Sequence, residues 1–309
     1  MLHGRMLRYL DEAARRGSIR KAAAHLNVAS SAINRQILAL ERELGAPLFE
    51  RMPRRLRLTA AGELVIAHVR STLKGYDRLA AELSALKGIQ RGRVSMATTF
   101  GLAMGPIRPA VSDFLDQHRG VQVEVRALVA DAIPNSVLSG EVDLGLSYNL
   151  APDPNLRSQV SLLVPVVVVV APGHPLAEHH TVRLADIVAY PMILPMLGMT
   201  IRDILNRAFT EQGISYRPEV ETNSVEMIKL LVATPPRLTV LNPMDAIAEQ
   251  QRGELVFLNL ADRQIRPQSL QIITRQKGPT DFVANLFIEK LRISLTSQVD
   301  QLPTPKTSF

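Results

Sequence analysis

The stretch that decides the fold lies near the amino end of the chain and reads GSIRKAAAHLNVASSAINRQILALERELGAPLFER, residues 17–51. Gly17 ends a first helical pattern, which we place at residues 2–16. Ser18 suits the N-cap of the next helix, because its side chain can accept a hydrogen bond from the first turn. A third helix is expected to begin near residues 29–31 and to run to Leu44, where Gly45 stops it. The stretch therefore predicts two short helices joined by a turn, after a first helix.

The third helix has two faces of different character. Its buried back is predicted by an apolar stripe at helical spacing, formed by Ile33, Ile37, Leu40 and Leu44. Its other face carries Ser31, Asn34, Arg35 and Leu38, three of which can make polar contacts. An apolar back with a polar or cationic front is typical of a helix that contacts bases in the major groove of DNA. The arginine-dense strip RMPRRLRL, residues 51–58, predicts a basic hairpin beside it.

The charge is unevenly distributed along the 309 residues. Residues 1–91 hold 17 Lys and Arg against 8 Asp and Glu, whereas the remaining residues hold 19 against 21. A cationic head on a nearly neutral body is expected when only the head meets a polyanion. The alternative on charge alone is a basic surface that serves solubility.

A long helix is predicted from Thr59 to about Lys87. Its apolar side chains recur at alternating spacings of three and four, at Ile66, Val69, Leu73, Tyr76, Ala80 and Leu83. This seam is typical of helices that pair lengthwise, and Gly75 inside it costs about 1 kcal/mol relative to alanine. The sequence favours a two-fold dimer through this helix. An amphipathic helix packed on its own chain remains the alternative.

Beyond residue 93 the pattern alternates between strands and helices, which predicts α/β layers with parallel sheets. We expect strands at residues 94–98, 121–128, 144–147, 163–170, 192–194, 239–241, 255–258 and 270–274. Helices are expected at residues 107–118, 200–212, 224–233 and 284–294. Small ligands in such folds bind beyond the carboxyl ends of the strands, near helix N-termini. Residues 301–309 are expected to form a frayed tail.

Several classes of protein are excluded or disfavoured. The absence of cysteine excludes disulfides and thiolate metal sites and suits a reducing cytosol. No apolar core follows Arg5 and Arg8, so we expect no signal peptide, and the longest apolar run is too short to span a membrane. No zinc-ligand spacing, phosphate-binding glycine loop or nucleophile elbow occurs, so we expect no enzyme, catalytic residue, metal or cofactor. A periplasmic solute-binding protein is a further alternative, which the basic head disfavours.

The sequence closely resembles the LysR-type transcriptional regulators over nearly its whole length. The likeness is most specific over residues 18–59, and weaker echoes are GEVDLGL at 140–146, APGHPLA at 171–177, and Pro243 after an apolar strand. The resemblance implies a winged helix-turn-helix at 1–58, a linker and dimerisation helix at 59–90, and an effector-binding domain at 91–300. That α/β domain is expected to resemble type 2 periplasmic binding proteins, with lobe I at 91–162 and 269–300 and lobe II at 163–268.

The partners of the chain also follow from the resemblance. Double-stranded promoter DNA, a second copy in a dimer that associates into a tetramer, and a small-molecule effector that shifts DNA bending are implied. RNA polymerase is a further expected partner, the expected location is the cytoplasm, and no membrane is expected to take part.

The resemblance also assigns roles to individual residues. The DNA-binding set on the two helices comprises Ser18, Arg20, Ser30, Ser31, Asn34 and Arg35, and the set on the wing comprises Arg51, Arg54, Arg55 and Arg57. The wing arginines would contact phosphate and give affinity rather than sequence specificity. The effector-binding set comprises Thr98, Thr99, Phe100, Asp131, Thr200, Arg202, Asn223 and Ser224. The alternative for the hydroxyl residues is that they are ordinary helix caps.

One departure from the family pattern concerns the start of the third helix. Members commonly have Ser-Gln-Pro where this chain has Ala29-Ser30-Ser31. With the capping serine absent at Ala29, we expect Ser30 to cap the helix instead. The usual glutamine, which can contact a base through two hydrogen bonds, is absent as well, so the bases preferred in this part of the DNA site are not set by the resemblance.

Overall fold

The computed structural model describes residues 5–52, 55–85, 92–276 and 282–302. The chain divides into two compact units. One comprises the residues up to Gly92 together with Ser136–Val142, and the other comprises Arg93–Asn135 and the residues from Asp143 onward. Within the described residues, no helix is both long and apolar enough to cross a membrane.

The amino-terminal unit contains the expected helices followed by a hairpin and a long helix. The elements are α1 (Arg5–Arg16), α2 (Ile19–Leu26), α3 (Ser30–Leu44), β1 (Phe49–Met52), β2 (Arg55–Leu58) and α4 (Ala60–Ala85). β1 and β2 pair antiparallel, with Phe49 opposite Leu58 and Met52 opposite Arg55. This order of elements is a winged helix-turn-helix that continues into a long helix.

Local chemistry explains where these helices begin and end. The Ser18 hydroxyl accepts a hydrogen bond from Lys21 N at 3.4 Å, as expected of an N-cap. Asn27 ends α2, and Gly45 ends α3 with φ +66°, a left-handed conformation that glycine adopts without strain. The Thr59 hydroxyl caps α4 by accepting a hydrogen bond from Gly62 N at 2.9 Å.

One apolar cluster holds this unit together and uses part of the predicted seam of α4. Ile33 and Ile37 of α3 are buried in it with residues of the preceding helices, and Leu40 packs against it, which confirms this part of the apolar back of the third helix. Leu44, at the end of the helix, was expected in the same buried stripe but is 48% exposed. Ile66 and Val69 are buried in the same cluster, and Leu73 packs against it. The first half of the seam therefore contacts its own chain, while the side chains of Ala80 and Leu83 lie outside the described residues.

The rest of the chain supplies two main sheets. The chain crosses twice between them, first after β6 and again before β13. The elements before the first crossing are β3 (Gly92–Thr98), α5 (Phe100–Met104), α6 (Ile107–Gln117), β4 (Val121–Ala127), α7 (Ala132–Leu138), β5 (Leu144–Tyr148) and β6 (Leu156–Val164). Those between the crossings are β7 (Val167–Val170), β8 (Thr181–Val182), α8 (Leu184–Ile187), β9 (Ile193–Pro195), α9 (Thr200–Glu211), β10 (Val220–Thr222), α10 (Val225–Val232), β11 (Leu238–Leu241), a 3-10 turn (Pro243–Asp245), α11 (Ile247–Gln251) and β12 (Val256–Leu260). After the second crossing come β13 (Gln268–Arg275) and α12 (Phe282–Asp300).

The sheets are mixed rather than parallel, which corrects the expectation from the sequence. A five-stranded sheet has the order β4-β3-β5-β13-β6, and β13 runs antiparallel to both of its neighbours. A four-stranded sheet has the order β11-β7-β12-β8, with β7 antiparallel to β11 and β12. β9 and β10 form a parallel pair. We refer below to the five-stranded sheet with its helices as lobe I and to the other sheets with theirs as lobe II.

The apolar run at residues 162–171 is divided between the two lobes, whereas a single strand at 163–170 was expected. β6 belongs to lobe I, β7 belongs to lobe II, and Pro165 lies between them. In β7 the alternate valines pack into different clusters, Val168 and Val170 on one face and Val167 and Val169 on the other. A central strand covered on both faces explains why this segment shows no polar alternation.

Candidate DNA-binding surface and effector cleft

The front of α3 presents most of the predicted DNA-contacting side chains to solvent. Ser30, Ser31 and Arg35 are exposed, while Asn34 is half-buried. Within the described chain, the Arg35 guanidinium has no ion pair or hydrogen bond. An uncompensated guanidinium on an exposed helix face can donate two hydrogen bonds to a guanine edge or bind a phosphate.

The start of α3 differs from the expectation that Ser30 would act as its cap. Ala29 occupies the N-cap position with extended backbone (φ −68°, ψ 137°), and Ser30 is the first helical residue. Because a cap must precede the first turn, the Ser30 hydroxyl is too far along the helix to serve. No side chain of the described chain caps the helix, so the N–H groups of its first turn are left to donate hydrogen bonds to an outside acceptor such as a phosphate oxygen.

The wing is held beside the helices by backbone contacts and displays arginines on its second strand. Arg55 and Arg57 are exposed, and between them Leu56 N donates to Gly17 O at 2.8 Å. Arg51 pairs with Leu56 through the β1 backbone, but its side chain lies outside the described residues, as does the whole of Arg54. The structure thus places two of the four predicted wing arginines on an open surface.

Two groups of arginines can be compared in this unit; Arg5 and Arg8, which are also exposed and have no carboxylate partner in the described chain, belong to neither. Some are compensated by carboxylates: Arg15 by Asp11 at 2.9 Å, Arg16 by Glu12, and the buried Arg70 by Asp11 at 2.7 Å. The cations predicted to contact DNA (Arg20, Arg35, Arg55 and Arg57) are exposed and have no carboxylate partner in the described chain. The compensated group stabilises the unit, whereas the other leaves positive charge available to a polyanion. Ser18, which was also predicted to contact DNA, has a structural role in this unit, because its hydroxyl caps α2.

The predicted effector residues of lobe I lie at the carboxyl end of β3 and after β4. Thr98 is fully buried, and its hydroxyl has no hydrogen-bond partner among the described residues. Thr99 precedes α5 without capping it, and Phe100 is 58% exposed. Leu128 N donates to Thr98 O at 2.8 Å, which brings the loop after β4, with exposed Asp131, beside this end of β3.

The predicted effector residues of lobe II lie at two helix starts. Thr200 is the first residue of α9. Ser224 caps α10, where its hydroxyl accepts from Met227 N at 3.2 Å, and Asn223 before it is exposed. Ser224 is therefore an ordinary helix cap in this structure.

Comparison with known proteins assigns this architecture to a family. A model of the bacterial regulatory helix-turn-helix proteins of the lysR family matches residues 5–63, and a model of the LysR substrate-binding domain matches residues 87–295. The chain belongs to the LysR family. It is a DNA-binding transcriptional regulator and not an enzyme.

Similar regulators cover most of the chain. The SDS degradation transcriptional activation protein of a Pseudomonas strain is 29% identical over 282 residues, which are 89% of this chain and 90% of that protein. The transcriptional dual regulator GltC of Bacillus subtilis is 30% identical over 249 residues, 79% of this chain and 82% of its own.

Solved structures share the fold. Full-length OxyR from Pseudomonas aeruginosa superposes with a TM-score of 0.72 at 18% identity, covering 98% of both chains. CbnR in complex with its target DNA superposes with a TM-score of 0.54 at 22% identity, covering 94% of this chain and 98% of that one.

Arg202 has a different role in the LysR-type regulator from the one that the sequence suggested. Its buried guanidinium donates to Asn206 Oδ1 and to Pro195 O, both at 2.8 Å, and pairs with Glu221 at 2.5 Å. These bonds tie α9 to the ends of β9 and β10. Since its donors are already engaged inside lobe II, Arg202 is a positioning residue and not an effector ligand.

The sequence did not reveal a buried polar cluster where the regulator's two lobes meet. Asp245, in the 3-10 turn of lobe II, lies against Gly101 of α5 in lobe I. A Cβ atom on Gly101 would come within 2.5 Å of Asp245 Oδ1, so glycine is required for this approach. Asn242 Nδ2 donates to Asp245 Oδ2 at 3.5 Å, while Asp245 Oδ1 has no partner among the described residues. The Asn242-Pro243 pair that begins the turn is the one local signal in the sequence.

The ionisation of this cluster is shifted by burial. Burial raises the pKa of Asp245 to about 7, against the hydrogen bond from Asn242 and the charge of Lys229, and Glu226 raises it further. Burial and the Asp245 carboxylate raise the pKa of Tyr148 well above its ordinary value. Lys229 is itself compensated by Glu226 at 2.7 Å and Glu249 at 3.0 Å. Asp245 therefore changes its charge near neutral pH.

Proposed function

We propose that this regulator recognises a promoter half-site through α3 and binds the flanking phosphates through α2 and the wing. Ser31, Asn34 and Arg35 lie on the exposed front of α3 and would contact base edges and nearby backbone, and Ser30 would lie at the phosphate that approaches the open helix N-terminus. Arg20, Arg55 and Arg57, with Arg51 and Arg54, would contact phosphates. The uncompensated guanidinium of Arg35 on the helix front is the observation that carries this proposal.

We propose further that the regulator acts as a dimer through α4 and associates into a tetramer. The amino-terminal half of the seam is used within the chain, so the pairing surface would be the half of α4 that follows Leu73. Leu79 in this half is 43% exposed, and Tyr76 is half-buried. A symmetric pair would bring two recognition helices to two half-sites of one duplex.

The cleft between the lobes is the proposed effector site. Thr99 and Thr200 would supply hydroxyl groups, and Phe100 and Asn223 would lie beside them. Exposed apolar side chains follow the same strand ends, with Val129 at 68% and Leu197 at 67% exposed. Apolar walls with a few hydroxyl groups suit an effector that has an apolar body and a hydrogen-bonding head. Asp131 would disfavour a second negative charge near the mouth of the cleft.

Bound effector would change the DNA bend by changing how the lobes are held, and the regulator would act on RNA polymerase in the cytoplasm. The experiment that tests the proposed function is selection of genomic DNA by the purified protein. Sequencing of the retained fragments should give a two-fold symmetric motif, and the genes beside it would indicate the effector. Retention of fragments without a common motif would contradict sequence-specific regulation.

A further inference from the structure

An open cavity of about 640 Å³ lies in the second unit, on the segment that crosses from lobe II back to lobe I. Its walls come from the middle and end of α9, from residues 263–267 of the crossing, and from the residue after β5. The polar and charged residues of these walls are Arg207, Glu211, Arg263, Gln264, Arg266 and Asn149. We call it the arginine cavity. None of the residues in its walls belongs to the predicted effector set.

The charges in the arginine cavity are not balanced. Arg207, Arg263 and Arg266 are exposed, and in the described part of the chain none of the three has an ion pair or a hydrogen bond. Glu211 is the one carboxylate in the cavity wall. Two other arginines of lobe II are compensated, Arg237 by Glu219 at 3.0 Å and Arg252 by Glu254 at 2.8 Å, whereas exposed Arg217 has no carboxylate partner in the described chain. Three guanidinium groups around one concave surface repel one another, and a bound anion would relieve that repulsion.

The shape and the donors indicate which anion would bind. The volume lies within the range of small-ligand sites, about 300–1,000 Å³. Guanidinium groups donate pairs of parallel hydrogen bonds to carboxylates and phosphates, and the Gln264 amide can add a further donor. A concave site of this size fits a compact ligand with two or three negative charges better than it fits the long charged edge of a DNA duplex.

The wall of the cavity is connected to the place where the lobes meet. The Asn149 amide donates to Gln268 Oε1 at 3.1 Å, and its oxygen accepts from Ser269 N at 2.9 Å. Gln268 in turn donates to Asn242, whose amide donates to Asp245 beside Gly101. The cavity also shares α9 with Thr200 at the proposed effector cleft. A ligand that draws α9 toward residues 263–266 would therefore act on the segment that joins the two lobes and would change their relative orientation.

We propose that the arginine cavity is a second ligand site of this regulator, separate from the cleft, and that it binds a small oxyanion with two or more charges, a phosphate ester or a polycarboxylate. Arg207, Arg263 and Arg266 hold the charged groups. Binding there changes the relative orientation of the two lobes independently of the effector in the cleft.

Titration calorimetry on the full chain at constant ionic strength tests this proposal, with pyrophosphate and citrate as the two probes. At least one should bind with a millimolar or lower Kd. Tighter binding of pyrophosphate would indicate a phosphate ester as the ligand, and tighter binding of citrate a polycarboxylate. The double variant Arg263→Ala/Arg266→Ala should weaken binding about tenfold or more, as should the milder Arg207→Gln. Arg217→Ala, an exposed arginine of lobe II that does not line the cavity, is the matched control and should leave the affinity unchanged.

Three results would overturn the proposal. One is no binding of either anion by the wild-type chain at millimolar concentration. Another is an equal loss of affinity in the Arg217→Ala control, which would show a diffuse effect of surface charge. The third is a loss of affinity for random duplex in the double variant that matches its loss for the anion, since the arginines would then belong to a DNA-binding surface. A thermal midpoint equal to that of the wild type confirms that each variant is folded.

Discussion

Glu41 near the end of the recognition helix accepts hydrogen bonds from the backbone N–H groups of Leu48 and Phe49, at 2.8 and 3.2 Å, through one carboxylate oxygen. Leu48 and Phe49 lie where the chain enters the wing, and both are buried. This side chain thus helps to hold the wing in position relative to α3, the helix proposed to contact bases. The Thr59 hydroxyl adds to this by donating to Pro47 O at 2.6 Å.

Replacement of Glu41 by alanine should therefore affect both stability and DNA binding. Two N–H groups at the edge of the core would lose their acceptor, which costs about 1–3 kcal/mol. We expect a lower urea midpoint and weaker duplex binding by the full chain, measured by circular dichroism and filter binding. The Glu41→Gln control keeps an acceptor oxygen and should lie close to the wild type. An alanine variant with unchanged midpoint and affinity would show that the wing is positioned by other contacts.

Arg35 and Arg57 should have separable effects on DNA binding. Arg35→Ala should weaken binding to the selected site by about 1–3 kcal/mol and binding to random duplex much less, because a base contact is lost. Arg57→Ala should weaken both by similar factors and reduce the salt slope by about one, because a phosphate contact is lost. Equal losses on both duplexes for Arg35→Ala would mean that Arg35 contacts only phosphate.

The proposed pairing surface on α4 can be tested without truncation. Removal of α4 would remove Ile66 and Val69 from the core of the DNA-binding unit, so a chain cut at Leu58 would be destabilised. Leu79→Glu instead places a charge on the exposed half of the helix and should shift the full chain toward monomers in sedimentation velocity. Leu163→Glu, at a 68% exposed leucine of β6, is the control. If the Leu79 variant keeps the assembly of the wild type, the chains pair through another surface.

The buried Asp245 should make stability depend on pH. Because burial raises the pKa of Asp245 from 3.8 to about 7, the folded chain keeps a proton between these values that the unfolded chain has released. This retained proton on Asp245 adds about 4 kcal/mol to the free energy of unfolding below about pH 4. The added stability is lost as the pH rises from about 4 toward 7.

Asp245→Asn removes this dependence, so the stability of the variant relative to the wild type should rise between pH 5 and 8. Urea denaturation of the full chain at both pH values measures the change, with Asp203→Asn at an exposed position of α9 as the control. A stability difference that is the same at both pH values would show that Asp245 does not titrate in this range.

The sequence predicted what depends on near neighbours along the chain. The stripe of Ile33 and Ile37, the cap at Ser18 and the stop at Gly45 all follow from residues a few positions apart, and the structure confirms them. The wing was predictable for the same reason, since β1 and β2 are adjacent in the chain.

The features that the sequence did not predict depend on partners that are distant in the chain. Gly101 meets Asp245 only after the chain has crossed once between the lobes, and Gln268 meets Asn242 only after the second crossing. The resemblance implied an effector role for Arg202, but Pro195 and Glu221, which engage its guanidinium, come from strands that the sequence does not place beside it. The antiparallel position of β13 between β5 and β6 likewise follows from the second crossing rather than from any local pattern.

The affinity of the full chain for a selected duplex across a series of salt concentrations tests the central claim most directly. We expect log K to fall linearly with log salt, with a slope of about −0.9 for each phosphate contact, and Arg55→Ala/Arg57→Ala to make the slope shallower by about two. No binding at low salt, or a slope that these two arginines do not change, would contradict the account of this unit as the DNA-binding surface.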